Sequence, residues 1–156
     1  MKFLSVLLLF LILCACSKNT EKTETPKNQR EQTQQEKEEH HHDALNGGIL
    51  TELGEHAASL EWLLEEGVLK LYIHDGCAEK PIRISQEQIQ VTVKAEKTLQ
   101  FFLSAETNKL TGEKPGDSNT FSVKAPELNK EKISDISVHF ITIKGMDYKS
   151  VNLKVK

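Results

Sequence analysis

Basic excess, aromatic residues and paired cysteines are all scarce in this chain, and each shortage closes off a class of function. Lys and Arg number 20 against 23 Asp and Glu over 156 residues, and the two signs are interspersed. No basic face stands out, so no nucleic-acid partner is expected. Phe, Trp and Tyr make up only 6% of the chain, which leaves little material for a base-stacking platform. Of the three cysteines, Cys14 and Cys16 close an apolar N-terminal segment, and Cys77 is the one remaining in the folded part. An internal disulfide framework is thereby excluded once that segment is removed and Cys16 modified. No CxxC, HExxH or Gly-rich phosphate loop is present. A nucleophile needs a base and an orienting group. Cys77 has His74 and Asp75 beside it, but strand neighbours point to opposite faces and a turn intervenes. A free thiol at a turn is the preferred reading over a reactive one, and no enzyme is expected.

What is there begins with an address. Lys2 supplies a positive start and Phe3 to Leu13 is almost wholly apolar. At roughly a dozen residues this run is too short to cross a ~30 Å hydrocarbon layer as a helix, and it has the shape of a secretory signal peptide. Leu13-Cys14-Ala15-Cys16 resembles the lipobox of bacterial lipoproteins. The resemblance implies cleavage before Cys16 and attachment of acyl chains, palmitate among them, at that residue. Several chains together give lasting membrane attachment where one gives only marginal binding. The competing reading is an ordinary signal peptide cut near Ala15. Ser17 and Lys18 put no Asp after Cys16, which by resemblance to lipoprotein sorting implies the outer membrane, facing the periplasm, in a Gram-negative cell.

Three regions follow: a signal peptide over residues 1–15, a polar tether over 16–43 and a domain over 44–156. Ser17 to Asp43 contains no apolar residue, so it cannot bury enough surface to offset its ordering entropy and is expected to be disordered. Its coil span is on the order of 30 Å. The tether ends in His40-His41-His42-Asp43. Neutral imidazole suits zinc and copper, and His56 or Asp43 is the candidate to complete such a site. The bland alternative is a polar linker end, since three adjacent side chains do not converge on one ion unaided. His74 and Cys77 form a weaker pair of metal candidates, incomplete as two ligands.

The domain, about 110 residues long, is enough for one core. Ile49 to Leu53 reads as a strand after the flexible Gly47-Gly48, a hinge to the tether. His56 to Glu65 is helical by propensity but alternates like a strand, with Ala58, Leu60, Trp62 and Leu64 on one face against Ser59 and Glu61. A strand is expected there, joined by a hairpin at Glu66-Gly67 to a clearer strand over Val68 to Asp75. Pro81 to Ile84 reads as a brief edge segment. Further alternation marks strands around Ile89–Val93, Leu99–Leu103, Phe121–Val123, Ser137–Ile143 and Tyr148–Val155. Glu106 to Asn119 reads as a long loop, and Ala125 to Ile133 as a connection with a helical turn. Trp62 and the set Phe101, Phe121 and Phe140 are assigned to the core, with His139 at its edge. The expected fold is all-β, a single immunoglobulin-like β-sandwich of about eight short strands.

Gly47-Gly48, Gly54, Glu61, Gly67-Val68, Tyr72, Asp75 and Lys80-Pro81 follow in an order continued by Leu110-Thr111-Gly112-Glu113 and Thr120 to Ala125. This set resembles the small β-domain near the N-terminus of periplasmic adaptor (membrane-fusion) proteins of heavy-metal RND efflux pumps, and its stand-alone secreted relatives. The resemblance covers nearly all of Gly47 to Lys156. It implies a periplasmic domain that handles divalent metal and has an envelope or efflux protein as partner. The family often has His directly before the Gly pair, where this chain has Asn46. The chain has no room for the coiled-coil hairpin, lipoyl-like domain or barrel of a complete adaptor. The expectation is therefore a lipid-anchored binding module that captures or senses zinc or copper beside an efflux system. The alternative is a tethered interaction domain with no metal role.

Overall fold

A computed structural model of the chain describes residues 43–155. The signal peptide, Cys16, the tether up to its last residue and His40–His42 lie outside the described residues. Eight antiparallel strands run in chain order as β1 (Ile49–Leu53), β2 (Ala58–Glu65), β3 (Val68–Asp75), β4 (Gln88–Lys94), β5 (Thr98–Ala105), β6 (Thr120–Lys124), β7 (Asp135–Ile143) and β8 (Met146–Leu153). Among the described residues a single 3-10 turn, Pro126–Leu128, falls in the connection where a helical turn was expected.

The all-β sandwich of about eight short strands is what forms. Its two leaves, β1-β2-β3-β6 and β5-β4-β7-β8, belong to one continuous sheet in the order β1-β2-β3-β6-β5-β4-β7-β8. The leaves join at a narrow corner, where β5 and β6 share two residue pairs, Ser104↔Ser122 and Ala105↔Phe121. Two hairpins owe their tightness to two-residue turns with positive φ. Glu66 and Gly67 (φ 50° and 75°) join β2 to β3, and Lys144 and Gly145 (φ 52° and 76°) join β7 to β8. Such turns match the right-handed twist of paired strands.

The core lies between the leaves and takes the expected alternation. Leu60, Leu71, Ile73 and Phe121 from one leaf meet Ile89, Val93, Leu103, Ile136 and Ile141 from the other, all essentially unexposed. Trp62 joins them, and its indole Nε1 donates to the Lys154 carbonyl at 2.7 Å. The Lys154 N–H donates in turn to Thr51 Oγ1 at 2.8 Å. These two bonds tie the end of β8 to the β1–β2 side, across the open flank of the sandwich.

Four expectations change. β2 begins at Ala58, because His56 sits in the preceding turn with φ 58°. Pro81 to Ile84 makes only isolated bridges, Pro81 to His74 and Ile84 to Ser118, rather than a strand. Phe140 is 39% exposed and outside the core, and His139 is exposed as well. The cause is a slip in alternation: Ile136 and Val138 are buried, then Ile141 and Ile143. Pairing of β4 with β7 stops at Val138, and Ser150 opposite His139 takes φ 51°. Beyond that point the Gln86 side chain replaces a strand neighbour: its Oε1 accepts the Thr142 N–H at 2.7 Å and its Nε2 reaches the Phe140 carbonyl at 3.5 Å. Fourth, the Gly47-Gly48 pair is no hinge, because its second member is fastened to the sandwich.

Candidate functional site

Alternation places Ser59 and Glu61 of β2 on the outer face, opposite the core. Their cross-strand partners on β3 are His74 and Tyr72. A charged residue there should meet water, yet Glu61 and Ser59 are 0% exposed and His74 is 2% exposed. Over Glu61 the cover is the segment ahead of β1, while Ser59 Oγ donates to the Gly76 carbonyl at 3.4 Å. Glu61 Oε1 accepts the Asn46 and Gly48 N–H groups, each at 2.8 Å. Glu61 Oε2 accepts Asn46 Nδ2 at 2.9 Å and faces His74 Nε2 at 3.0 Å. A Cβ on Gly48 would lie 2.4 Å from the Trp62 carbonyl and 2.9 Å from Glu61 Cγ, so only glycine allows the approach.

Four donors on one carboxylate fix its state. Burial pushes the Glu61 carboxyl up, but the Asn46 side chain, the Gly48 and Asn46 N–H groups and His74 outweigh it and hold it below the ordinary range. An ionised Glu61 accepts, so the proton of His74 sits on Nε2. The other ring nitrogen, Nδ1, is buried and without a hydrogen-bond partner among the described residues. The Tyr72 ring stacks beside His74, with centroids 6.4 Å apart and planes at 21°. Burial raises the Tyr72 hydroxyl; Lys70 opposes this, while Glu106, Glu61 and Glu65 add to it.

A carboxylate holding one nitrogen of a histidine is a pairing used to orient metal ligands and catalytic bases. Here the second nitrogen meets no third group, and no three His, Cys, Asp or Glu side chains gather for an ion among the described residues. The arrangement instead fastens the entry of the chain onto the outer face of β2 and β3.

The other sequence candidates lie apart from this cluster. Asp43 is exposed at the start of the described residues. His56 lies in the β1–β2 turn, its Nδ1 3.0 Å from Glu52 Oε1. Cys77 is exposed in the turn after β3, where Asp75 Oδ1 accepts the Glu79 and Lys80 N–H groups at 2.8 and 3.2 Å, while His74 points the other way onto Glu61. A second buried carboxylate was also missed. Glu113, 7% exposed, accepts from Thr111 Oγ1 at 2.6 Å, the Asn119 N–H at 3.0 Å and Ser118 Oγ at 3.5 Å, and organises the 106–119 loop. Burial raises its carboxyl, and those donors with the Arg83 charge bring it below the ordinary range. An open cleft of about 320 Å³ lies next to the clamp, lined by Gly48, Ile49, Trp62, Leu64, Ile133 and Val155 among others.

The signal for Glu61 was a lone carboxylate in the middle of Leu60 to Leu64, preceded by Asn-Gly-Gly at the domain entry. Compared with protein-family models, curated proteins and solved structures, the chain matches none.

Proposed function

We propose that this chain is a membrane-anchored cell-envelope lipoprotein whose β-sandwich is a binding module. Its His40–Asp43 tract captures a divalent transition metal, zinc or copper, next to an efflux system. The observation that carries the reading is the clamp on Glu61. It fastens Asn46 and Gly48 to the sandwich, three and five residues after Asp43, the last residue of the tract in sequence. A fastened neighbour supports the reading because a wholly free linker pays the full ordering entropy when it gathers ligands. The resemblance of the Gly47 to Lys156 pattern to metal-efflux adaptor domains supports the same assignment, as the lipobox-like Leu13 to Cys16 supports the anchor.

Titration calorimetry of zinc and copper into the full chain, with and without His40, His41 and His42 replaced by Ala, tests it. Micromolar or tighter binding that disappears in the variant is expected. Equal binding by both proteins removes the tract from the account.

A second reading, a tethered protein-interaction domain, draws on the exposed Phe102 and Phe140 of the β5-β4-β7-β8 leaf. It predicts co-purification with an envelope protein that chelator does not disturb.

A further inference from the structure

Asn46 does two jobs in the clamp, and its sequence context threatens one of them. Gly47 follows it, and it is the only asparagine in the chain with a glycine after it. In an Asn-Gly pair the glycine nitrogen attacks the asparagine side-chain carbonyl carbon, a succinimide ring closes and ammonia leaves. Water then opens the ring at one carbonyl or the other, giving Asp or the isomer linked through its side chain. Only water is consumed. The absence of a Cβ on the following residue is what makes the attack easy.

The local geometry leaves this reaction room. Asn46 and Gly47 are both exposed, and a Cβ on Gly47 would meet nothing within 4 Å. Gly47 also takes φ 77°, in a region that side chains rarely adopt, so glycine suits the position for conformational reasons as well. The protein therefore carries the labile pair at the residue that holds Glu61.

We propose that Asn46-Gly47 is a deamidation site whose product releases residues 43–48 from Glu61. The Asn46 Nδ2 that donates to Glu61 Oε2 at 2.9 Å becomes a carboxylate oxygen. A donor is lost and two negative charges face each other where Glu61 is 0% exposed and water screens least. The isomer lengthens the main chain by one atom between the Asn46 and Gly48 N–H groups, which both reach Glu61 Oε1 at 2.8 Å. Either product loosens the joint between tether and domain, irreversibly and with age. The inference does not depend on any metal role for the tract.

The purified full chain, held in neutral buffer, gives the test. Peptide mapping by mass spectrometry follows amide-to-acid conversion at each asparagine, and hydrogen exchange follows the Gly48 amide in the same samples. Conversion at Asn46 several-fold ahead of Asn108, Asn119, Asn129 and Asn152 is expected, with Gly48 exchange rising in step. Asn46→Asp, made directly, should show the fast Gly48 exchange from the start. Conversion at Asn46 no faster than at the other asparagines overturns the proposal, and so does an Asn46→Asp protein whose Gly48 amide is as protected as the wild type. Should that variant not fold, the partly converted wild-type protein supplies the same comparison.

Discussion

On the leaf β1-β2-β3-β6 the outward-pointing Glu61 is fully buried, whereas on the leaf β5-β4-β7-β8 the outward-pointing Phe102 is 56% exposed. Hydrophobicity alone would predict the reverse. The outer face of the second leaf, with Gln88, Lys94, Thr98, Gln100 and Ser104, is left to solvent. That of the first leaf is sealed at Glu61 by Asn46 and Gly48 of the chain that precedes β1. The difference shows that a charge can be the anchor of a covered face when enough donors converge on it. It also shows that an exposed aromatic on a polar face need not be covered at all.

Substitutions that separate the core, the clamp, the loop and the open face should sharpen this contrast. The largest loss should come from Phe121→Ala, at 0% exposure between the leaves. About 3–5 kcal/mol of stability should go in chemical denaturation, from lost burial and the cavity left behind. Glu61→Ala should follow at about 3 kcal/mol, because it leaves His74, both N–H groups and the Asn46 amide without their acceptor. An outer-face carboxylate as costly as a core side chain would confirm the contrast, and a loss like that of a surface Glu would break it. Glu113→Ala should cost about 1–2 kcal/mol, with faster proteolysis confined to the 106–119 loop. Phe102→Ala should change stability by less than about 0.5 kcal/mol.

The same comparison has a pH dependence. Glu61, Glu113 and Asp75 all have carboxyls held below their ordinary values, 4.5 for the two Glu and 3.8 for the Asp. For each, burial works upward and is outweighed by hydrogen bonds, joined at Glu113 and Asp75 by neighbouring positive charge. A lowered folded value means the unfolded chain binds protons first on acidification. The stabilisation is therefore present in full above the ordinary values and is lost as pH falls through the folded ones. A stability-against-pH series should show a decline below about pH 4.5 that is shallower in Glu61→Gln than in the wild type.

Much of the fold could be read from alternation. Val68 to Asp75 was placed to the residue, and Glu66-Gly67 was recognisable as a turn. Phe140 could not be placed correctly, because its position depends on where β4 stops pairing with β7 and on a positive φ at Ser150, both set by tertiary contacts. Glu61 was harder still. Alternation put it correctly on the outer face, where a charge is ordinarily solvated. What buries it comes from Asn46 and Gly48, 15 and 13 residues away. Glu113 was hidden in a stretch whose polarity suggests only a loop, since its donors Thr111, Ser118 and Asn119 have no periodicity to reveal them.

The central claim, that Glu61 holds the domain entry against the sandwich, is tested most directly by hydrogen exchange at the Asn46 and Gly48 amides at neutral pH. In the wild-type protein both should exchange far more slowly than exposed loop amides such as Lys109, and in Glu61→Ala both should exchange at loop rates while the amides of β3 and β4 stay protected. Loop-rate exchange of Asn46 and Gly48 in the wild-type protein would contradict the account.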